Sequence, residues 1–283
     1  MSKIKAAGAT GIAAALSAYC FVQNRLLTVD NYKVECKNLP QSFEGVKILH
    51  ISDLHKKRYG DGFNNLINVC QVCDPDYIFF TGDLFSRSEE NLTPKLVLMR
   101  RLMKLAPVYY VMGNHETDAA VKSEALNYKL EAEGVHILRN SYERIYRGGD
   151  YINIYGAELS MDYYRSADGI GYRGLKKADR EALQRLMGEP DHEKCCILLA
   201  HNPFPFREYA EWGADLVFSG HCHGGVIRLP IAGGLLSPER RFFPEYTKGV
   251  YEGYGSCMVV SAGLGKFRLN NPSQLICAYL TGK

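Results

Sequence analysis

Five short apolar runs in the chain are typical of β-strands, and metal-ligating residues follow each of them closely. Ligand sites in open α/β sheets form beyond the carboxyl ends of the strands, where several loops converge. The side chains at these five ends are Asp, Asn and His, a donor set that suits divalent metals. One such coincidence would mean little, whereas five predict a dinuclear metal site. The residues are Asp53 and His55 after ILHIS, Asp83 after DYIFFT, Asn114 and His115 after VYYVM, His201 after CCILLA, and His221 and His223 after ADLVFS.

The spacing of these residues favours shared coordination. In an extended segment, residues i and i+2 project to the same face, so we expect Asp53 and His55 to bind one metal together. His221 and His223 repeat that spacing, and the glycines around them allow a tight backbone. Asp83 has two carboxylate oxygens, so we expect it to bridge two metals.

A structural role is the alternative for any one of these histidines, because polar residues often serve only the fold. That alternative fits the whole set poorly, since five of the eight histidines stand at strand ends in ligand spacing. His50, His136 and His192 lack this context and are predicted to be structural. Cys70 and Cys73 form a CxxC pair without a second pair, which favours core packing over a redox or zinc site.

The order of the predicted elements indicates an α/β fold in one catalytic domain, residues 30–283. Strands are predicted at 46–52, 77–81, 107–112, 136–138, 141–146, 151–155, 195–200, 215–219, 226–229, 257–261 and 274–280. Helices are predicted at 63–73, 92–105, 119–133 and 177–187. This mixture of βαβ units and short hairpins predicts two packed mixed sheets with helices outside them.

Composition and net charge indicate the class of protein and limit its partners. With 46% hydrophobic and 23% charged residues, the 283-residue chain has the make-up of a globular protein with a sizeable core. A net charge of +3 without a long basic run argues against nucleic acid as a partner. Nine cysteines, an odd number without a scaffold spacing, leave the redox compartment open.

The N-terminal segment predicts a membrane anchor. Residues 6–24 carry no charge and are preceded by Lys3 and Lys5. As a helix they would span roughly 28 Å, close to the thickness of the bilayer core. A cleaved signal peptide and a buried Ala-rich helix are the alternatives. We therefore expect residues 1–29 to form a single-pass cell-membrane anchor and linker, with the side of the membrane left open because basic residues flank both ends. We also expect deletion of residues 1–27 to leave the metal site intact.

Taken together, Asp-X-His, Gly-Asp, Gly-Asn-His-Glu, a later His and Gly-His-X-His resemble the calcineurin-like metallophosphoesterase superfamily. The His-Asn-Pro triplet, the Gly-Gly after the last histidine and the N-terminal segment resemble its branch of membrane-associated bacterial phosphodiesterases. That branch includes enzymes that cleave UDP-diacylglucosamine. The resemblance covers residues 46–280 and implies a four-layer α/β/β/α fold.

The resemblance also implies a role for each motif residue. Two divalent metal ions, of Mn, Fe or Zn, would be held by two ligand sets that share Asp83. His115 would not be a ligand; it would protonate or stabilise the leaving oxygen, with Glu116 orienting it. Ser86 and Cys222 depart from the common pattern of the family. The first set is Asp53, His55, Asp83 and His223, and the second is Asp83, Asn114, His201 and His221.

The expected function is hydrolysis of a phosphodiester or pyrophosphate bond by a hydroxide that bridges the two metals. The expected substrate is a membrane lipid-linked compound similar to UDP-diacylglucosamine. A phosphomonoesterase or nucleotide phosphodiesterase acting on a soluble substrate is the alternative within the same class. From another class, a metal-free interaction scaffold would keep the fold and lose ligands, yet every ligand position is filled here.

Overall fold

Two six-stranded β-sheets form the centre of the structure, a computed structural model that describes residues 17–166, 174–229, 231, 233–238, 240–266 and 268–283. The order in the first sheet is β1 (Leu27–Cys36), β14 (Ser273–Gly282), β2 (Lys47–Ile51), β3 (Tyr77–Thr81), β4 (Val108–Val111) and β5 (His136–Ile137). The order in the second is β12 (Gly249–Gly253), β13 (Ser256–Val260), β9 (Leu216–Ser219), β8 (Cys196–Ala200), β7 (Asp150–Ala157) and β6 (Ser141–Arg147). A small hairpin joins β10 (Arg228–Leu229) and β11 (Gly233–Gly234).

Helices cover the outer faces of both sheets. The first sheet packs against α1 (Asn64–Cys73), α2 (Thr93–Met103) and α4 (Ala120–Ala132), while α3 (Asn114–Asp118) is a short turn after β4. The second sheet packs against α5 (Arg180–Met187) and α6 (Phe206–Trp212). The inner faces share an apolar core, in which the rings of Phe79 and Phe218 meet edge to face with centroids 5.3 Å apart. The predicted α/β/β/α layering is therefore confirmed.

Parallel pairing in both sheets brings five strand ends to one edge of the molecule. In the first sheet β2, β3 and β4 run parallel in that order. In the second sheet β8 and β9 are parallel neighbours. Their carboxyl ends carry the motif residues, as the sequence predicts.

Five elements of the described chain were not predicted from the sequence, namely β1, α3, α6, β11 and β12. β1 pairs in parallel with β14 from Leu27 to Cys36, so it begins before the expected domain boundary at residue 30. Its sequence, LTVDNYKVEC, mixes polar and apolar residues and lacks a clean alternation. α6, with seven residues, is too short for a helical period to be clear, and β12, with the sequence GVYEG, lacks the apolar run that marks the predicted strands of similar length.

Residues 6–16 of the predicted anchor lie outside the described residues, and residues 17–23 are helical. Within the described part of the chain, every helix is too short or too polar to cross a membrane.

A disulfide joins the two sheets. Cys36, the last residue of β1, is bonded to Cys195, just before β8, and both residues are fully buried. Cys70 and Cys73 are free and buried in the core beneath α1, which agrees with the predicted packing role. A cross-link of this length restricts the unfolded chain strongly.

Replacing both partners, Cys36→Ala with Cys195→Ala, is expected to lower the free energy of unfolding by about 2–5 kcal/mol. The measurement is urea unfolding of the oxidised wild type and of the double variant. Dithiothreitol should lower the stability of the wild type and leave that of the double variant unchanged. Equal stability of the two proteins before reduction would contradict the cross-link.

Candidate metal centre

The ligand residues enter the site through turns rather than through extended strands. Asp53, His55, Asp83, His221 and His223 all have positive φ, between 48° and 67°. This left-handed backbone is uncommon for residues other than glycine and often marks a functional site. The sequence predicts an extended Asp-X-His segment at residues 53–55, and this prediction is wrong. The turns nevertheless bring the side chains together.

One half of the site consists of Asp53, His55 and His223. Their ligand atoms lie within 4.8 Å of one another. Asp53 Oδ1 is 3.6 Å from His223 Nδ1 and 3.9 Å from His55 Nε2. The other carboxylate oxygen of Asp53 accepts hydrogen bonds from Ser52 Oγ at 2.7 Å and from the His221 N–H at 3.0 Å, which fixes the carboxylate.

The other half consists of Asn114, His201 and His221. Asn114 Oδ1 lies 3.2 Å from His201 Nε2 and 3.1 Å from His221 Nδ1. His201 Nδ1 donates to the carbonyl of Thr81 at 2.7 Å, so the lone pair of the neutral ring is on Nε2, which faces the site. This arrangement suits a metal-binding imidazole whose second nitrogen is fixed by a backbone carbonyl.

Asp83 lies between the two halves. Its Oδ2 atom is 3.5 Å from His55 Nε2 in one half and 3.5 Å from His201 Nε2 in the other. Its Oδ1 atom accepts the His115 N–H at 2.9 Å. This placement is the one that the sequence predicts for a carboxylate shared by two metals.

The donor atoms of this cluster fit bound cations. Among the described residues, several buried atoms that face the centre have no hydrogen-bond partner, which is costly unless something else binds them. A divalent ion accepts lone pairs from both carboxylate oxygens and imidazole nitrogens, so it would satisfy them. The atoms are Asp53 Oδ1, Asp83 Oδ2, His55 Nε2 and His223 Nδ1.

The charges of the buried groups in the cluster are strongly coupled. Burial opposes charge on His201, but the neighbouring carboxylates of Asp83 and Asp53 raise its pKa to about 9. Burial likewise disfavours the Asp83 carboxylate, but His201 and His55 hold its pKa well below its usual value. A metal ion that binds Nε2 of His201 would therefore have to compete with a proton.

His115 lies beside the two halves and is more accessible. Its side chain is 12% exposed, against 0–3% for His55 and His201, so it faces the open side of the site. The Arg87 N–H donates to His115 Nδ1 at 3.2 Å, which leaves the proton of the neutral ring on Nε2. His115 Nε2 is 3.9 Å from Asp83 Oδ2. Burial lowers the pKa of His115 to about 4 despite the Asp83 carboxylate, so the ring is neutral at pH 7.

Glu116 has a different role from the one expected. It does not orient the His115 ring; its carboxylate accepts the N–H groups of Asp83 at 2.8 Å, Gly113 at 2.8 Å and Phe85 at 3.2 Å. It thereby ties the loop after β3 to the loop after β4. The contact with Gly113 is a local capping box, but the contacts with Asp83 and Phe85 belong to a distant loop and leave no local pattern, so the sequence does not reveal this role.

The three histidines predicted to be structural lie away from the cluster. His50 is buried between the sheets, where its Nε2 pairs with Thr81 Oγ1 at 2.8 Å and burial lowers its pKa to about 3. His136 stacks on Tyr109 and pairs with Glu143 at 2.7 Å. His192 lies 3.9 Å from Glu189 at the surface.

Close backbone approach makes the cluster possible. At Gly220, a Cβ atom would lie 1.9 Å from Ser52 Oγ and 2.5 Å from Asp53 Oδ2. Gly263 has φ +70°, and a Cβ there would lie 2.5 Å from Asp53 Cβ. Neither position can carry a side chain without moving the Asp53 carboxylate.

Known proteins share this sequence pattern over most of the chain. An Aquifex aeolicus protein named as an uncharacterized metallophosphoesterase is 29% identical, covering 96% of this chain and 98% of its own length. The Bacillus subtilis protein named uncharacterized metallophosphoesterase YkuE is 26% identical, covering 88% of this chain and 82% of its own. A Bos taurus protein named transmembrane protein with metallophosphoesterase domain is 29% identical, covering 74% of this chain and 48% of its own.

The family model for calcineurin-like phosphoesterases matches residues 46–225. That span is more than half of the chain, and it contains every residue of the cluster described above. The protein therefore belongs to the calcineurin-like phosphoesterases, hydrolases of phosphoric esters that use two divalent metal ions.

Proposed function

We propose that the protein hydrolyses a phosphodiester or diphosphate bond in a lipid-linked substrate at a membrane surface. The observation that carries the chemical part is the pair formed by Asp83 and His115. The carboxylate of Asp83 is central to two ligand sets, and His115 Nε2–H points into the same space from its open side. Attack and departure of the leaving group would thus occur within one small volume.

The proposed ligand sets follow from the two halves of the site. Asp53, His55 and His223 would hold one ion, Asn114, His201 and His221 the other, and Asp83 would bind both. When bound, the ions would activate water and stabilise the negative charge that develops on the phosphoryl group. The choice among Mn, Fe and Zn stays open, since all three suit this donor set.

His115 would act on the leaving group by hydrogen bonding. Its neutral ring presents Nε2–H to the site, because Nδ1 is occupied by the Arg87 N–H. Such a donor stabilises the oxygen as its negative charge develops, without needing the ring to be protonated. The backbone N–H of the same residue meanwhile holds Asp83 Oδ1, so one residue positions both groups.

Three features support a membrane-linked substrate. The uncharged run at residues 6–24 is long enough to span a bilayer. The bovine relative has a name that describes a transmembrane protein. In addition, Phe242 and Phe243 are 71% and 57% exposed beside Arg240 and Arg241, a combination that suits an anionic lipid surface. Arg241 also lies over the ring of Phe204, which is next to His221.

Asp83→Asn is expected to abolish turnover and to lower the metal content below two ions per chain, since the amide cannot replace a carboxylate shared by both ions. The measurements are elemental analysis of the purified protein and hydrolysis of bis(p-nitrophenyl) phosphate with Mn²⁺. The control is Asp150→Asn, an exposed carboxylate that only accepts a hydrogen bond from Ser42. Normal turnover of the Asp83 variant with full metal content would rule out the dinuclear assignment.

His115→Ala is expected to lower kcat by about 10²–10³-fold, the usual effect of losing one donor to a developing oxyanion. Both metal ions should remain, because Asn114 is the proposed ligand in that turn. His136→Ala, at a histidine far from the cluster, serves as the control and should keep full activity. If His115→Ala loses an ion, His115 is a ligand and its proposed role is incorrect.

Deleting residues 1–16 is expected to release the protein from membranes and to preserve hydrolysis of a soluble diester. Activity on a lipid-linked diphosphate in vesicles should fall, because the anchor raises the effective concentration of enzyme at the surface. The deletion ends at residue 16 and not at residue 27, because a deletion to residue 27 would also remove Asn24 and the start of β1. Vesicle flotation and phosphorus NMR measure both effects, and equal activity of both proteins on the vesicle substrate would argue against the anchor's proposed role.

A further inference from the structure

The segment that follows β13 forms one wall of the metal centre. Its backbone bonds directly to the turn that carries the first ligands: Leu264 N–H donates to Ser52 O at 3.0 Å, and Gly265 N–H donates to Asp53 O at 2.5 Å. A Cβ atom at Gly265 would lie 2.8 Å from the His55 ring. The backbone at residue 265 is therefore in contact with the half-site of Asp53 and His55.

Lys266 is the next residue, and it brings a positive charge to this wall. Its side chain is exposed, and it forms no ion pair or hydrogen bond with the residues that the structure describes. It directly follows Gly265, whose backbone lies against Asp53 and His55, so its ammonium group is within reach of this half of the site.

Two arginines on the side of His115 are held by one carboxylate. Arg87 and Arg165 each contact Asp118 at 2.6 Å, so both side chains are fixed although only one of their two charges is neutralised. The seven proposed ligands include only two carboxylates, those of Asp53 and Asp83, so the loaded site would carry a net positive charge. A phosphodiester has one negative charge, whereas a diphosphate diester has two. The charge of Lys266 matches the second one.

The segment that carries Lys266 is fastened from the N-terminal side of the chain. Asn24 follows the helical residues 17–23, and its side-chain amide binds both backbone groups of Arg268, donating to the carbonyl at 2.7 Å and accepting the N–H at 2.8 Å. Arg268 is fully buried, and its Nε donates to Gly265 O at 2.8 Å. A chain of hydrogen bonds therefore runs from Asn24 to the residue that precedes Lys266.

We propose that Lys266 binds the second phosphate of a diphosphate substrate, and that Asn24 is the positioning residue for the segment that carries it. This inference rests on the proposed function and narrows it to diphosphate bonds. It also gives the N-terminal segment a role in the active site besides attachment to a membrane.

The test compares bis(p-nitrophenyl) phosphate, a monoanion, with bis(p-nitrophenyl) diphosphate, a dianion with the same aryl groups. Lys266→Met is expected to lower kcat/KM for the diphosphate by about 10–100-fold, the usual effect of losing a hydrogen bond to a charged group. The decrease in kcat/KM should be at least tenfold larger for the diphosphate than for the monophosphate diester. It should arise mainly from a higher KM. Lys266→Arg should restore most of the lost kcat/KM. Lys33→Met, at an exposed lysine on β1, is the matched control.

Asn24→Ala is also expected to lower kcat/KM for the diphosphate, by a smaller factor than Lys266→Met. Its metal content should be unchanged. Its effect should largely disappear in the Lys266→Met background, because both substitutions act on the same contact. Asn38→Ala is the control, since Asn38 also donates to a distant backbone carbonyl, that of His192, away from the site. Additive losses in the double variant would overturn the positioning role.

The outcomes separate the two proposals. A wild-type protein that contains metal and hydrolyses neither compound would refute the proposed function. If the wild type is active and Lys266→Met affects both compounds equally or neither, the inference about the second phosphate fails and the proposed function stands.

Discussion

Two carboxylates buried side by side are the constraint on which this structure depends. Asp53 and Asp83 are both inaccessible to solvent, and each has one oxygen without a hydrogen-bond partner among the described residues. Buried charges of one sign are unfavourable unless a cation lies between them. The imidazoles around them are explained by the same need, because they can bind a cation without adding negative charge.

The residues around this site prevent the two carboxylates from moving apart. Left-handed turns at the ligands, close backbone approach at Gly220 and Gly263, and the three backbone groups held by Glu116 leave the carboxylates little room to separate. Movement therefore cannot relieve the repulsion between the two carboxylates, and binding of a cation between them is favoured. A site whose buried donor atoms are held in place in this way is prepared for ions before they arrive.

The sequence predicted the composition of the site better than its geometry. Asp53, Asp83 and His201 could be identified because strand ends converge in any α/β sheet, whatever the loops do. The positive φ at Asp53 and His55 could not be foreseen, since it depends on contacts with the segment after β13, far along the chain.

The same limit applies to the supporting contacts. Three contacts join segments that are distant in sequence: those of Glu116 with Asp83 and Phe85, the Cys36–Cys195 disulfide, and the clamp by Asn24. Local patterns report local preferences, and none of these contacts changes the periodicity of its own segment. The strands and helices of the core were predictable for the opposite reason, because their apolar spacing is local.

The pairing of β1 with β14 has a consequence for how the chain folds. These strands lie near opposite ends of the described chain, and β14 separates β1 from the rest of its sheet. β1 cannot take its place until the last strand has been synthesised and has paired with β2. During synthesis its backbone groups and apolar side chains therefore stay unpaired while the remainder of the domain assembles. The first strand of the described chain is thus among the last to fold, and the disulfide between Cys36 and Cys195 can form correctly only after β1 has paired.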